Sequence, residues 1–77
     1  METNELRTSE FNLAAFLLCR GYELKNIDRT FPRRVKFVFA TVDKEVIESY
    51  WMNAPVGVMD FVNAQQKIKR WLFSDTY

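Results

Sequence analysis

The chain has 77 residues and a formal net charge of +1, and aromatic residues make up 16% of it. A chain of this length is expected to form one small domain with a thin core, 1–77, and its aromatic content argues against a disordered chain. The near-neutral charge selects neither a nucleic acid nor a membrane surface as a partner.

The first predicted element is a helix over Phe11–Gly21, after a polar lead-in, Met1–Arg7, that we expect to be mobile. Apolar residues fill nearly all of this stretch, and a helix that is apolar all round must be buried all round. We expect Thr8 or Ser9 to cap its start and Gly21 to take the left-handed conformation that ends it. This helix is therefore predicted to lie at the centre of the domain.

Two strands follow, and we expect them to pair as an antiparallel hairpin. Apolar and polar residues alternate at the start of Tyr22–Arg29, as in a half-buried strand. Arg34–Ala40 places Val35, Phe37 and Phe39 on one side and Lys36, Val38 and Ala40 on the other. Pro32 cannot donate a hydrogen bond to a strand ladder and marks the turn between them. Phe37 and Phe39 share one side of the second strand, so both are predicted to pack on the first helix.

Two amphipathic helices, Asp43–Met52 and Val58–Phe73, complete the chain before a short tail, Ser74–Tyr77, that we also expect to be mobile. The sequence thus predicts an α+β fold with the order α-β-β-α-α, in which a two-stranded antiparallel hairpin packs on three helices. The predicted apolar stripes of these two helices are Val42, Val46, Ile47, Tyr50 and Trp51, and then Phe61, Ala64, Ile68, Trp71 and Leu72.

These elements resemble those of a known family. The resemblance rests on Arg7-Thr8-Ser9-Glu10-Phe11, Leu13–Leu18, Gly21-Tyr22, Lys36–Phe39, Tyr50-Trp51, Val56, Phe61 and Lys67–Leu72. On these residues the chain resembles the DUF5659 family of small bacterial and phage-type domains, whose function is uncharacterised. The resemblance implies a phage or mobile-element setting and supplies no catalytic residue. The chain departs from the family pattern in its arginine-rich hairpin turn and in Ala40-Thr41-Val42, which precede Asp43.

The side chains that most enzymes and metal sites require are missing or isolated. There is no histidine and only one cysteine, so the sequence lacks the commonest general base and a zinc ligand set. Cys19 is interpreted as a small core residue in a reducing compartment. Met1–Arg7 lacks the character of a signal peptide, and no apolar run approaches membrane-spanning length. We therefore expect a cytoplasmic, non-catalytic protein without a metal, a cofactor or a membrane partner.

A basic cluster in the hairpin is the most informative polar feature. It contains Arg29, Arg33, Arg34 and Lys36, with Phe31 among them and no acidic residue between its ends. Such a set can contact phosphates while the aromatic ring stacks on a base, which makes these five residues candidate nucleic-acid ligands. The alternative is a solvated edge strand whose charges keep the protein soluble.

Apolar side chains outside the predicted stripes indicate protein partners. Met52 and Phe73 fall off the stripes of their helices, and exposed large apolar groups mark partner surfaces. A two-stranded sheet also leaves edges that can pair with another chain, including a second copy. The leading hypothesis is a binding module that acts by protein–protein contact, as an accessory factor or inhibitor of a host system. Nucleic-acid binding through the hairpin is the alternative.

Overall fold

In the part of the chain that the structure describes, the domain contains three helices and one small sheet. The computed structural model describes residues 5–31 and 33–74, and none of its helices in those ranges is long and apolar enough to cross a membrane. The α+β class and the three helices agree with the sequence prediction. In chain order the elements are β1 (Leu6–Thr8), α1 (Phe11–Cys19), β2 (Leu24–Asp28), β3 (Lys36–Phe39), α2 (Lys44–Trp51) and α3 (Val58–Ser74).

The sheet has three strands, not the two that the sequence predicted. Its order is β1-β3-β2, and both pairings are antiparallel. The predicted hairpin of β2 and β3 is present, and β1 adds to the free edge of β3, with Leu6 opposite Phe39 and Thr8 opposite Phe37. The central strand, β3, therefore has partners on both sides.

Leu6 and Arg7, which the sequence analysis placed in a polar lead-in over Met1–Arg7, belong to the strand β1. Three residues are too few for an alternating pattern to stand out, and Arg7 and Glu5 make the segment look polar. Residues 1–4 and 75–77, and the turn residue Pro32, lie outside the described residues.

The core is built around α1. Its residues from Leu13 to Leu17 are all buried, at most 4% exposed, as its unbroken apolar sequence predicted. The buried rings of Phe37 and Phe39 come from β3, and Phe37 meets Phe11 edge-on with ring centroids 6.5 Å apart. The remaining core residues from the strands, the loop and α3 are Leu24, Ile27, Val42, Ala64 and Ile68, with Phe61, Trp71 and Leu72 half-buried against them.

The start of α1 differs from the prediction of a Thr8 or Ser9 cap. The N-cap residue is Glu10, and its side chain makes no capping hydrogen bond. The hydroxyl of Thr8 instead accepts a hydrogen bond of 3.0 Å from the backbone N–H of Glu10. Thr8 lies in β1, so its hydroxyl fixes the bend between strand and helix.

Two helices end in the same way, with a residue of positive φ just after the cap. Gly21 has φ 91°, as predicted, its N–H donates to the Leu18 carbonyl, and the next N–H, from Tyr22, donates to the Leu17 carbonyl. This is the hydrogen-bond pattern of a Schellman motif. Asn53, with φ 63°, ends α2 through the equivalent pair of hydrogen bonds.

The helix α2 lies at the margin of the core and has no fully buried residue. Val46, Ile47 and Tyr50 are half-buried against the core, and the Tyr50 ring lies 5.5 Å from the Phe16 ring. Trp51 was predicted to share this stripe, but it is mostly exposed. At about 100° per residue, Val46, Tyr50 and Ile47 share one side of α2, and Trp51 points about 40° beyond Ile47, past the edge of that packed side.

Candidate functional site

Arg29 lies apart from the other basic residues of the hairpin. Its guanidinium donates hydrogen bonds of 2.9 Å to the backbone carbonyls of Trp71 and Leu72 and is partly buried there. The last carbonyls of a helix lack intrahelical donors and bear partial negative charge, so a guanidinium stabilises them. Arg29 therefore joins the hairpin to the C-terminal end of α3.

An open cavity of about 770 Å³ lies where β1 and the start of β3 meet the hairpin turn. We call it the basic cavity. Its volume falls within the range of about 300–1,000 Å³ that is usual for ligand sites. Three other depressions on the described surface are smaller, at about 390–430 Å³. The side chains that line the basic cavity are Arg7, Thr8, Ser9, Phe31, Arg34 and Lys36.

Among the described residues, the lining of the basic cavity contains three cationic side chains and no carboxylate. Arg7 is partly neutralised, because it forms ion pairs with Glu5 at 3.3 Å and with Asp28 at 3.0 Å. Within residues 5–31 and 33–74, Arg34 and Lys36 form no ion pair. Their uncompensated charge gives the cavity a positive potential that attracts anions.

Three of the five residues proposed from the sequence meet in this cavity. Phe31 is 68% exposed, and the backbone N–H of Arg34 donates to its carbonyl at 2.9 Å, so both lie on one tight turn, with Lys36 at the start of β3. Arg33 is exposed but does not line the cavity, and neither does Arg29.

Sequence reasoning missed Arg7, Thr8 and Ser9, which reach the cavity through the pairing of β1 with β3. The one available signal was the short alternation of Leu6, Arg7 and Thr8.

The ion pair between Arg7 and Asp28 joins the two outer strands across β3. It lies over the strand that contains Val38, which is buried although it faces away from the main core. The hydroxyl and backbone N–H of Thr30 donate to Asp28 at 2.6 and 3.0 Å. These hydrogen bonds, together with the Arg7 guanidinium, hold the pKa of the Asp28 carboxyl below its ordinary value.

Several large apolar side chains are exposed. Met52, at the end of α2, and Phe73, in the last turn of α3, are 81% and 86% exposed. Met52 belongs to a group around the loop 53–57 that we call the apolar rim, whereas Phe73 lies at the end of α3 that Arg29 contacts. The apolar rim consists of Trp51, Met52, Val58 and Met59, which are 64–81% exposed.

Two further side chains among the described residues, Cys19 and Tyr50, have pKa values that differ from the ordinary ones. Cys19 is a free, half-buried thiol, and burial, with a smaller contribution from the Asp60 carboxylate, raises its pKa. Burial and the Glu10 carboxylate raise the pKa of Tyr50, whose hydroxyl lies 3.5 Å from that carboxylate. In the part of the chain that the structure describes, no three histidine, cysteine or acidic side chains come together as a metal site.

A family model described as a domain of unknown function, DUF5659, matches residues 3–74. The chain belongs to the DUF5659 family. The match spans all six elements and confirms the resemblance noted in the sequence. Neither the curated proteins nor the solved structures give a significant match. The basic cavity and the apolar rim are surface features of the described part of this DUF5659 domain.

Proposed function

We propose that this DUF5659 domain is a non-catalytic binding module that acts by protein–protein contact. The observation that supports the proposal is the apolar rim, in which four large side chains are exposed within the nine residues 51–59. Tryptophan and methionine are enriched at protein interfaces, and each such side chain gains about 1.5–3 kcal/mol on full burial. A partner that covers the rim would supply the burial that the domain does not.

The rim residues flank, in the sequence, a loop that is fixed to the rest of the domain. Arg20 donates a hydrogen bond of 3.2 Å to the Pro55 carbonyl, and Asn53 holds the left-handed conformation that ends α2. A surface that is already ordered loses little conformational entropy on binding. The rim therefore suits a specific contact better than a flexible loop would.

The biological setting is part of the same proposal. The family resemblance suggests a phage or mobile element, and hence an accessory factor or inhibitor of a host system. A half-buried free thiol at Cys19 fits a reducing compartment and supports a cytoplasmic location.

Affinity capture with a rim variant tests the proposal. The variant combines Trp51→Ser, Met52→Gln and Met59→Gln, all at exposed positions, so the fold should survive. Phe31→Gln is the matched control, because it removes an exposed apolar side chain outside the rim. Wild type and control should recover the same protein from a bacterial lysate, and the rim variant should lose it. Recovery of that protein by all three chains would contradict the proposal.

Nucleic-acid binding is a second candidate, and the basic cavity is the observation that favours it. Arg34 and Lys36 supply charge that no described acidic side chain neutralises, and Phe31 exposes an aromatic ring beside them. These groups lie apart from the rim in the sequence, so the two functions can be tested separately.

A further inference from the structure

We infer that the basic cavity binds single-stranded nucleic acid, with Arg34 and Lys36 contacting backbone phosphates and the Phe31 ring stacking on a base. The inference rests on the second candidate function and names its ligand class and its site. The proposed site does not coincide with the basic hairpin. It leaves out Arg29, whose guanidinium hydrogen-bonds to α3, and it includes Arg7 from β1.

The charges favour a polyanion that offers more than one contact. Arg34 and Lys36 lie two residues apart, at the turn and at the start of β3, and both line the cavity. Arg7 provides a third cation, held in place by its ion pairs with Glu5 and Asp28. A phosphodiester backbone presents charges in sequence, so adjacent phosphates can use adjacent cations.

The lining hydroxyls suit phosphate oxygens. Ser9 is exposed at the cavity, and Thr8 uses its oxygen to accept from Glu10, which leaves its O–H free to donate. Serine and threonine hydroxyls commonly donate to phosphate in nucleic-acid complexes.

Phe31 distinguishes a single strand from other polyanions. Its ring is 68% exposed on the wall of a cationic cavity. Bases in single strands offer free faces that stack on aromatic side chains, whereas bases in a duplex are already stacked on each other. An acidic peptide would satisfy the cations but provide no base for the ring.

Fluorescence anisotropy tests the ligand class directly. The probes are labelled thymidine and uridine strands of about 12 nucleotides, a DNA duplex of the same length and a polyglutamate peptide. The two single strands share phosphodiester and base chemistry, so comparing them separates DNA from RNA as the source. Both single strands should bind at micromolar protein in low salt, and more tightly than the duplex or the peptide.

Variants then test the site. Replacing Arg34 and Lys36 together by alanine should flatten the log–log salt dependence by about 1.4, because each single-strand phosphate contact contributes about 0.7. Replacing Lys44 and Arg70 removes the same two charge types from exposed positions outside the cavity, and should leave binding unchanged. Phe31→Ala should weaken binding about 5- to 150-fold, and Phe31→Tyr, which keeps the ring, should retain it.

Each other outcome overturns a defined part of the inference. Duplex binding that needs Arg34 and Lys36 but not Phe31 would overturn the single-strand ligand and keep nucleic-acid binding. Equal binding by wild type and the Arg34/Lys36 variant, or no binding of any probe, would overturn both the single-strand ligand and nucleic-acid binding by the basic cavity. A peptide bound as tightly as the strands would replace nucleic acid by an acidic polymer. Circular dichroism verifies that the variants, all at exposed positions, remain folded.

Discussion

Gly21 ends α1 by taking a backbone angle, φ 91°, that residues with a side chain avoid. A Cβ placed there would meet no neighbouring atom within 4 Å. The effect of a substitution therefore comes from the backbone angle and not from a clash with the surrounding residues. We expect Gly21→Ala to lower the free energy of unfolding by about 1–2 kcal/mol. Urea denaturation measures the change.

Gly21→Asn is the matched comparison, because asparagine tolerates the left-handed region better than alanine does. Its loss of stability should be clearly smaller. Equal losses for the two variants would show that the Schellman motif is not what determines the effect.

Asp28 links stability to pH. Hydrogen bonds from Thr30, and then Arg7, keep its pKa below the ordinary value, so folding favours its charged form. The stability that it contributes is present above the unfolded pKa of about 3.9 and is lost as the pH falls through the lower, folded pKa. Asp28→Asn should therefore reduce the loss of stability on acidification, measured by denaturation at a series of pH values.

Thr30→Ala provides the graded control for this effect. It removes the hydroxyl donor at 2.6 Å and keeps the backbone donor at 3.0 Å. The acid dependence should fall between those of wild type and Asp28→Asn. If the stability of Asp28→Asn depended on pH as that of wild type does, Asp28 would not be the group that links stability to pH.

Arg29 couples the β2–β3 hairpin to α3 through two backbone carbonyls. Hydrogen bonds to a charged donor are worth about 1.5–3 kcal/mol, so Arg29→Ala should destabilise the domain by about 2 kcal/mol. Amide hydrogen exchange should also speed up in the last turn of α3. Arg33→Ala, which removes an exposed arginine of the same hairpin, should change neither quantity. Normal protection of the last turn in Arg29→Ala would contradict this role.

The elements were predictable where the signal is local. The unbroken apolar run from Leu13 to Leu17 fixed the position of α1, and Gly21 fixed its end. The strand β1 was not predictable, because its stability comes from pairing with β3, about 30 residues away, and not from its own composition. Trp51 was misassigned because a short helix at the margin buries only part of its apolar side.

In the candidate site, too, only the residues that are close together in the sequence were predictable. Phe31, Arg34 and Lys36 are neighbours in the sequence, so their shared cavity could be anticipated. Arg7 joins them only through the third strand. Arg29 donates hydrogen bonds to backbone carbonyls of α3 that lie more than 40 residues away in the chain. No local sequence pattern predicts this contact.

The molecule as a whole is expected to self-associate. It exposes the apolar rim and has two outer strands, and a small domain gains core volume by pairing. Sedimentation equilibrium should show a concentration-dependent dimer, and the rim variant should shift the equilibrium toward monomer. A strict monomer at high concentration for wild type would contradict the expectation.

The position of β1 has a consequence for the order in which the domain assembles. Paired residues of β2 and β3 are 8 to 15 positions apart, whereas those of β1 and β3 are 29 to 33 apart. Longer loops lose more entropy on closure, and contacts between distant residues form more slowly. The hairpin should therefore form first and β1 should join it later. The basic cavity, which takes half of its lining from residues 7–9, would then be among the last surfaces to be completed during folding.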